Sequence, residues 1–551
     1  MHNKVESIKA SSASLRGTIA TELSEPTASF DEANAQLLKF HGSYQQEDRD
    51  QRRARREEGA GKAYQFMVRT RVPGGILTAE QYLAEDALAE KYGNGTLRVT
   101  TRQGFQLHGV LKGDLRTAIA EINAAALTTL AACGDVNRNV MTCPKPPTTA
   151  AERAIQKIAH AIAQHLAPRT SAYREIWIDG ERAGNPEPDA EPLYGKTYLP
   201  RKFKIGIAVP PDNCIDVYTQ DIGLIADIQG DALRGFTVLV GGGMGMTHGK
   251  KETFPRVGTP LCFIEPRDVL EVVEAIVATY RDWGDRTNRK HARFKYVVEE
   301  HGIEWVRSQV EDRVGRPLAF PRPVVFTTVD DHLGWQPQSG NLWTIGVFVE
   351  NGRINDTSER LLRSGLRAVI ERFRPGVRLT AQQNVLLTDV RPEHLGEIAL
   401  LFSRHGIRVD PREHGIRRYA MACPALPTCG LALTDAERIL PAIVTQIGEE
   451  LRHLGIGSRP LSIRMTGCPN GCARPYMGDI GFVGRSKDLY DIYIGGDWAN
   501  TRLNWVYASG VQSSDLTQRI VPLLRRWRDE AGDDESFGDF YQRIETSRMT
   551  A

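Results

Sequence analysis

The sequence predicts an α+β fold in which one strand–helix–strand plan occurs twice with pseudo-two-fold symmetry. Residues 97–110 align with residues 377–390 without a gap, at a shift of 377 − 97 = 280 positions. Residues 137–144 align with residues 417–424 at the same shift. Two further pairs keep the same order, residues 203–214 with 461–472 and residues 236–243 with 490–497. Matches in one order, two of them at one shift, indicate an internal repeat.

The first elements of the chain follow from its local patterns. An N-terminal arm, residues 1–66, contains a mixed-charge run at 47–58 that is typical of a solvated helix face. Alternating residues predict a strand from Tyr64 that breaks at Pro73-Gly74-Gly75. A helical segment over 79–91 and a second strand over 97–110 are expected to follow. Later expectations are a proline- and acid-rich loop at 185–192, a helix over 266–283, strands within 326–350, and an amphipathic helix with a polar tail over 514–550.

Each copy also contains a candidate helix start. Thr149 and Glu152 in the first copy have the Thr-x-x-Glu spacing of a capping box, as do Thr434 and Glu437 in the second. In such a box the two side chains bond the first free backbone amides of a helix. We therefore expect a helix to begin at both places.

Composition excludes several classes of function. The 551 residues carry a net charge of +2, which gives no reason to expect nucleic acid or a membrane surface as partner. No apolar run approaches the roughly 20 residues of a membrane helix, and the N-terminus lacks the apolar core of a secretory signal. We expect a cytoplasmic protein whose eight cysteines stay reduced.

Four of these cysteines fall in one stretch of the second copy, and this concentration predicts an inorganic centre. Cys423 and Cys429 form one pair, and Cys468 and Cys472 form the other, on the tight Pro-Asn-Gly turn. Four thiolates from short turns are the usual ligands of an Fe–S cluster. A structural zinc site is an alternative, although zinc favours closer spacing than C-x5-C, and buried cysteines without metal are a second alternative.

The first copy matches only two of the four cysteine positions, with Cys143 opposite Cys423 and Cys214 opposite Cys472. It concentrates basic residues instead, at Arg69, Arg71, Arg98, Arg102, Arg138, Arg201, Lys202 and Lys204. Taken singly, each reads as a snorkelling surface residue. On one face, so many cations are costly unless a multiply charged anion neutralises them. The residues thus predict a redox enzyme that works through a carboxylate-rich cofactor, in a site between the two halves.

A glycine-rich turn at 240–243 could let the backbone approach a ligand closely at Gly241 and Gly242. The run Gly-Gly-Gly-Met-Gly is not the dinucleotide pattern, so no nucleotide cofactor follows from it.

Two cysteine motifs, MACPALPTC at 421–429 and TGCPNGCARP at 466–475, resemble the cluster signature of the siroheme-containing sulfite and nitrite reductases. Segments along nearly the whole chain resemble the assimilatory sulfite reductase hemoproteins of this family, among them KFHGSYQQEDRD, LRVTTRQGFQLHG, TYLPRKFK and ESFGDF. The doubled plan is similar to the internal repeat of that family.

The resemblance implies a 4Fe-4S cluster on Cys423, Cys429, Cys468 and Cys472, with Cys472 also the axial ligand of a siroheme iron. Siroheme is rich in carboxylates, which would account for the density of cations. The residues implied to line it are Arg98, Thr100, Arg102, Gln106, His108, Arg201, Gly241, Gly242, Gln383, Asn470 and Arg474. Those implied to surround the substrate, and so to be catalytic, are Arg69, Arg138, Lys202 and Lys204.

The resemblance also implies three domains with the cofactors at their junction, in addition to the N-terminal arm. Residues 67–130 and 332–408 would form paired ferredoxin-like repeat halves. Residues 131–331 would form a basic α/β domain that binds siroheme and substrate, and residues 409–551 an α/β domain that binds the cluster and siroheme.

The implied reaction is the six-electron reduction of sulfite to sulfide in assimilatory sulfur metabolism, as in cysteine biosynthesis. We hypothesise that Arg69 and Arg138 bind and orient sulfite, because arginine is a fixed cation. Lys202 and Lys204 would donate protons, because lysine can give one up.

Two alternatives remain open. A siroheme nitrite reductase that makes ammonia would share the fold, but in that branch the position of Lys204 is typically asparagine, which favours sulfite here. A non-enzymatic zinc-binding protein is the other alternative. The sequence has no flavin or nicotinamide motif, so electrons would come from a separate protein, either an NADPH flavoprotein subunit or a ferredoxin.

Overall fold

The computed structural model describes residues 3–170, 172, 176–178, 181–183 and 191–550, and the loop expected at 185–192 lies almost entirely outside them. The helices are α1 Lys4–Ala10, α2 Ile19–Leu23, α3 Glu32–Leu37, α4 Arg52–Glu57, α5 Ala79–Lys91, α6 Leu115–Ala124, α7 Ala150–His165, α8 Val269–Trp283, α9 Phe294–His301, α10 Ile303–Val314, α11 Leu362–Phe373, α12 Leu395–Arg404, α13 Leu440–His453, α14 Leu516–Glu530 and α15 Phe537–Thr550. The strands are β1 Ser43–Glu47, β2 Tyr64–Arg69, β3 Ile76–Leu77, β4 Leu97–Val99, β5 Phe105–Val110, β6 Asn137–Thr142, β7 Ile176–Ile178, β8 Glu181–Ala183, β9 Phe203–Ala208, β10 Ile222–Gln229, β11 Ala232–Val240, β12 Thr259–Ile264, β13 Gly334–Gln338, β14 Leu342–Val347, β15 Arg353–Ile354, β16 Gly376–Leu379, β17 Val385–Val390, β18 Ala420–Ala422, β19 Ile463–Thr466, β20 Ile480–Ser486, β21 Leu489–Ile494 and β22 Trp505–Gln512.

Two of the sheets exchange edge strands between the halves of the chain. Their orders are β1-β2-β5-β4-β15 and β13-β14-β17-β16-β3. The short strand β15 thus pairs with β4 of the first half, while β3 pairs with β16 of the second. Residues from both sheets, including Phe66, Leu107, Ile345 and Leu387, pack in one hydrophobic core. The two halves are therefore interlocked.

Two other sheets have the same topology as each other, which confirms the predicted repeat. Their orders are β6-β9-β10-β11-β12 and β18-β19-β20-β21-β22. In each, the first three strands are parallel, and the fourth and fifth each pair antiparallel with the strand before them. A helix, α7 or α13, connects the first two strands. Parallel neighbours end at the same sheet edge, so the loops that follow β6 and β9, or β18 and β19, lie side by side.

A reciprocal contact between glutamines marks the pseudo-two-fold axis. Gln103 donates to the carbonyl of Leu379 at 3.0 Å, and Gln383 donates to the carbonyl of Val99 at 3.4 Å. These four residues are paired by the shift of 280 found in the sequence. Both glutamines have left-handed backbones, with φ of 52° and 71°. The two glutamines therefore form a symmetric contact between the two halves, where the sequence predicts the site.

Several element predictions are confirmed and two need correction. The helix over 79–91 is α5, the helix over 266–283 is α8 after a 3-10 turn, and the charge run contains the exposed helix α4. The single strand expected over 97–110 is wrong, because a turn closed by Thr100 N–H and the Gly104 carbonyl at 2.8 Å divides it into β4 and β5. The C-terminal segment holds two helices, α14 and α15, instead of a helix and a tail.

The capping box is confirmed in the first copy and wrong in the second. Thr149 and Glu152 form the complete box at the start of α7. The Thr434 hydroxyl instead bonds the Tyr490 hydroxyl at 2.9 Å, and α13 begins only at Leu440. Glu437 is used elsewhere, in ion pairs with two arginines described below.

The N-terminal arm packs against the repeat. Lys9 in α1 is buried, pairs with Glu6 at 2.5 Å and donates to the carbonyl of Leu199 at 2.8 Å. Strand β1 forms an edge of the first sheet. No helix within the described ranges has the length and apolar character needed to cross a membrane.

Candidate functional site

The four cysteines of the second copy lie together at one sheet edge. Cys423 follows β18 directly, and Cys468 follows β19 after one residue. The two strands are parallel neighbours, and Cys423 N–H donates to the carbonyl of Met465 at 3.2 Å. Cys429 closes a tight loop on the carbonyl of Ala425 at 2.9 Å. Both loops therefore deliver their thiols to the carboxyl ends of the strands.

Electrostatic coupling among the thiols reflects this proximity. Burial raises the pKa of Cys423, and the neighbouring Cys472 and Cys468 raise it further. Burial and Cys472 likewise raise the pKa of Cys429, and they raise that of Cys468 to about 12. Four thiolates can coexist here only beside a strongly cationic group, because each disfavours ionisation of the others. An Fe–S cluster fits this donor set.

Hydrogen-bond donors reach the cysteine sulfurs. The backbone amide of Gly467 donates to Cys423 Sγ at 3.4 Å, and Asn470 Nδ2 donates to Cys468 Sγ at 3.4 Å. Hydrogen bonds to sulfur are one means by which proteins adjust cluster potentials. Cys472 is the exposed member of the four, so its sulfur is the one available to a second group.

The predicted lysines lie beside Cys472. Lys202 precedes β9 and Lys204 lies within it, two residues apart and on one face. Burial lowers the pKa of Lys202 to about 7, Arg293 lowers it too, and Cys472 opposes the shift. Burial, Lys202 and Arg102 lower the pKa of Lys204 well below its ordinary value. Two half-buried ammonium groups at this position fit a bound anion.

Arg69 and Arg138 both donate hydrogen bonds to the turn at Cys133 and Gly134. Arg69 Nη1 donates to Cys133 Sγ at 3.2 Å. Arg138 donates to the carbonyl of Gly134 from Nε at 3.1 Å and from Nη2 at 3.0 Å. Arg138 also lies beside the hydroxyl of Tyr44 and within the field of Lys202. The four predicted catalytic cations therefore share one region.

A basic row crosses the first sheet next to these groups. Arg69 on β2 faces Gln106 on β5, Gln106 faces Arg98 on β4, and Arg98 faces Arg353 on β15. His108 follows on the same face of β5, and no described residue hydrogen-bonds either of its ring nitrogens. Burial, Arg353 and Arg98 lower the pKa of His108 well below its ordinary value. A buried imidazole without a partner fits a site that lacks only its polar ligand.

Unlike His108, three predicted siroheme arginines have hydrogen-bond or ion-pair partners within the protein. Arg98 pairs with Glu437 at 3.0 Å and donates to the carbonyl of Ala422 at 3.0 Å. Arg102 donates to Gln220 Oε1 at 2.7 Å, and burial and Arg138 lower its pKa to about 9. Arg201 lies 3.9 Å from Asp135, and burial and Arg289 lower its pKa to about 10.

Four predicted residues make contacts that maintain the backbone. The Thr100 hydroxyl accepts from the amides of Arg102 and Gly104, both at 3.2 Å, within the β4–β5 turn. A side chain at Gly242 would meet the carbonyl of Tyr218 at 2.3 Å, so this close approach is to the protein's own backbone. Gly241 has φ of 77°, and Gln383 donates to the carbonyl of Asn351 at 3.1 Å.

Arg474 ties the Cys472 loop to the first half of the chain. Its guanidinium pairs with buried Asp216 and donates to the carbonyl of Thr101 at 3.1 Å. The Thr101 hydroxyl returns a hydrogen bond to the carbonyl of Cys472 at 3.1 Å. Asp216 also accepts from Arg464 at 2.8 Å, and these two arginines hold the pKa of Asp216 below its ordinary value despite burial.

Sequence reasoning missed two further cations. Arg293 binds both oxygens of Asp221 at 3.0 Å, and Lys295 donates to the carbonyls of Gly243 at 3.0 Å and Gly245 at 2.7 Å. Burial and Arg293 lower the pKa of Lys295 to about 6, and Lys202 contributes. A signal existed, because Arg293 and Lys295 flank Phe294 as Lys202 and Lys204 flank Phe203. The two phenylalanine rings pack with centroids 5.8 Å apart.

A large cavity of about 590 Å³ is lined in part by Glu437 and contains both arginine and glutamate side chains. Its arginines face carboxylates: Arg353 pairs with Glu437 at 2.7 Å and Arg417 with Glu350 at 2.8 Å. Around Lys202 and Lys204 the cations outnumber the anions. We therefore assign the site by its chemistry and not by the size of the cavity.

Comparisons with known proteins agree with this arrangement. The model of the nitrite and sulphite reductase 4Fe-4S domain matches residues 158–318 and 416–547. That of the nitrite/sulfite reductase ferredoxin-like half domain matches residues 58–125 and 336–401.

Several curated proteins match over nearly the whole chain. Sulfite reductase [NADPH] hemoprotein beta-component from Staphylococcus epidermidis is 46% identical over 98% of this chain and 94% of its own length. The proteins of that name from Geobacillus kaustophilus and Myxococcus xanthus are 46% and 45% identical, over 97% and 98% of this chain and 94% and 96% of their own lengths. The solved structure of Mycobacterium tuberculosis NirA protein has a TM-score of 0.77 and 23% identity over 98% of this chain and 96% of that one, a likeness of fold.

Asp216→Asn is expected to destabilise the protein and to release the Cys472 loop. It leaves two buried guanidiniums without their counter-charge, a change that typically costs about 3–5 kcal/mol. Thermal unfolding and iron per chain measure the two effects. Asp410→Asn is the control, because Asp410 pairs with the exposed Arg412 and such pairs contribute about 1 kcal/mol or less. Equal behaviour of the two variants would contradict this role of Asp216.

Proposed function

The chain belongs to the family of nitrite and sulphite reductases, and from this premise we propose that it reduces sulfite to sulfide by six electrons in assimilatory sulfur metabolism. The observation that carries the proposal is the group of cations beside Cys472, of which Arg138 is buried and Arg69, Lys202 and Lys204 are half-buried. Sulfite is a small dianion whose oxygens must be bound and removed as water, and such a group can do both. The name of the 44–46% identical relatives supports sulfite as the substrate.

The donor sets support two cofactors. Cys423, Cys429, Cys468 and Cys472 would hold a 4Fe-4S cluster, and Cys472 would also ligate siroheme. Arg98, Arg102, Gln106, His108, Arg201 and Asn470, with Arg474 behind the loop, would surround the siroheme carboxylates. When bound, these groups supply electrons to the substrate. The protein's own contribution is to bind sulfite, orient it, and deliver protons as electrons arrive.

The four catalytic cations divide these tasks. Arg69 and Arg138 bind and orient the sulfite oxygens, because the planar guanidinium of arginine suits recognition of oxyanions. Lys202, with a pKa lowered to about 7 by burial and Arg293, releases a proton readily near neutral pH. Lys204 is shifted in the same direction. The lysines are thus the proton donors, and each oxygen leaves as water after it accepts protons.

Nitrite is the second candidate substrate, because the family includes nitrite reductases. Lys204 favours sulfite, since the family resemblance puts asparagine at this position in the nitrite branch.

The electron donor is a separate protein in the cytoplasm. The name of the relatives contains the words NADPH and beta-component, and this wording favours an NADPH flavoprotein over a ferredoxin. The divisions 1–66, 67–130 with 332–408, 131–331 and 409–551 are proposed as the arm and the three domains.

Spectra and kinetics of the purified protein test the function. We expect a Soret-type band, a siroheme band in the red region and broad Fe–S absorption. With a chemical reductant as electron source, kcat/KM for sulfite is expected to exceed that for nitrite. A large preference for nitrite would overturn the choice of substrate. A colourless protein that holds only zinc would overturn the enzymatic proposal altogether.

Exchange of the lysines tests the division of tasks. Lys202→Ala and Lys204→Ala are expected to lower kcat about 100-fold or more with a smaller change in KM, because proton transfer by a placed group contributes about that much. Lys202→Arg keeps the charge and is expected to retain KM but not kcat. Arg69→Ala is expected mainly to raise KM. The exposed Lys157→Ala is the matched control. Full turnover with lost affinity in both lysine variants would refute proton donation.

Cys472→Ser tests the link between the two cofactors. Because this residue would ligate both, its replacement is expected to lower iron content and abolish sulfite reduction together. Cys262→Ala is the control, since Cys262 lies buried in β12 among apolar residues. A Cys472→Ser protein with intact spectra and turnover would contradict the shared ligand.

A further inference from the structure

A second group of potential metal ligands lies in the first copy of the repeat. Cys143, Asp212, Cys214 and His332 each offer one ligand atom, and these four atoms lie within 4.8 Å of one another. His332 Nε2 is 3.5 Å from Cys143 Sγ and 3.5 Å from Asp212 Oδ2. Cys214 and His332 are each 4% exposed. The group is thus compact and set mainly inside the protein.

Three separate segments bring the group together. Cys143 follows β6, and Asp212 and Cys214 lie in the loop after β9, the parallel neighbour of β6. His332 comes from the linker that leads into β13 and the second half. The loop and the linker are already joined, because Asn213 N–H donates to the carbonyl of Thr328 at 2.9 Å. A ligand bound here would connect the first copy to the linker.

The repeat explains where the group comes from. Cys143 and Cys214 align with the cluster ligands Cys423 and Cys472. By the same alignment Pro210 stands opposite Cys468, and Asp212 stands opposite Asn470. The first copy therefore cannot supply four thiolates at this edge. It has instead two thiols, a carboxylate and, from the linker, an imidazole.

This donor set suits zinc. Zinc takes cysteine, histidine and carboxylate ligands in a tetrahedron at about 2.0–2.3 Å, which places the ligand atoms about 3.3–3.8 Å from one another. The two distances from His332 Nε2 lie in that range. Iron–sulfur clusters usually take four thiolates, and calcium and magnesium take oxygen ligands.

The surrounding residues orient the ligands. Asp330 Oδ2 lies 3.3 Å from His332 Nδ1, an ion-pair contact on the side of the ring opposite Nε2, which lies near Cys143 and Asp212. Asp212 Oδ1 accepts from the amide of Asp330 at 2.9 Å. The buried Asp212 Oδ2 has no hydrogen-bond partner among the described residues. A cavity of about 180 Å³, lined by Cys143, Asp212 and His332, adjoins the group and provides an entry path.

We propose that Cys143, Asp212, Cys214 and His332 bind one zinc ion with a structural role. The ion fastens the linker to the loop after β9. That loop also carries Asn213, which donates to the carbonyl of Ala499 at 2.7 Å, and it leads to Asp216, the partner of Arg474. Zinc at this position stabilises the contact between the two copies.

Metal analysis of the full chain with its cofactors tests the proposal. We expect about one zinc per chain in the unchanged protein and in Cys262→Ala. We expect at least a tenfold loss of zinc in Cys143→Ala/Cys214→Ala and in His332→Gln. Iron per chain, measured in the same samples, reports whether the variants still fold and load their cluster.

X-ray absorption at the zinc edge of the unchanged protein tests the ligands without any variant. We expect two sulfur ligands at about 2.3 Å and two nitrogen or oxygen ligands at about 2.0 Å. Four sulfur ligands would show that zinc had entered the cluster site, and would overturn the proposal. It would equally be overturned by a protein that takes up no zinc from micromolar solution, or by a Cys143–Cys214 disulfide in peptides from the unreduced protein.

Discussion

A buried carboxylate at the junction of the two copies holds the site together. Asp216 accepts from Arg464 on β19 and from Asn500, both at 2.8 Å, and it pairs with Arg474 in the Cys472 loop. A lone buried charge would be expensive, and removal of one partner from such a network is costly. One acid from the first copy therefore fixes the strand and the loop that present the second pair of cysteines.

The repeat makes this ion pair more than a local contact. Asp216 and Arg474 occupy the same position in the two copies, two residues after Cys214 and Cys472 respectively. Both have left-handed backbones, with φ of 50° and 54°, and each precedes a 3-10 turn. Across a two-fold axis a residue faces its own copy, so identical ionised side chains would repel. Asp216 and Arg474 carry opposite charges instead, so the contact between these equivalent positions is attractive and the symmetry is not exact.

Sequence patterns predicted local elements well and long-range contacts poorly. The bounds of α5 and the duplication of one strand–helix–strand plan followed from periodicity and from the alignment. The second capping box failed because Thr434 and Glu437 are recruited by distant groups, Tyr490 in one case and Arg98 and Arg353 in the other. A spacing motif describes only its own segment, so a side chain taken by tertiary structure escapes it.

The same limit applies to the site. The four cysteines were predictable because two pairs stood in one stretch, and the resemblance to known cluster motifs reinforced them. Arg293 and Lys295 were not found, because they lie about 90 positions from Lys202 and Lys204 and only the fold brings the two Phe-centred pairs together. His332 was missed for a related reason, since its partners Cys143 and Asp212 come from two other segments.

Divergence of the copies distributed charge as well as ligands. The first copy contributes Lys202, Lys204 and Arg138 to one side of the junction, and the second contributes the thiols of Cys468 and Cys472 to the other. Neighbouring cations lower one another's pKa, and neighbouring thiols raise one another's, so each set is electrostatically unfavourable by itself. A polyanion among the cations and a metal centre among the thiols would offset both repulsions. Binding of either group adds to the stability of the folded protein, because the unfolded chain offers no such site. Cofactor binding and the packing of the two copies are therefore thermodynamically linked, because the fold divides the site between its halves.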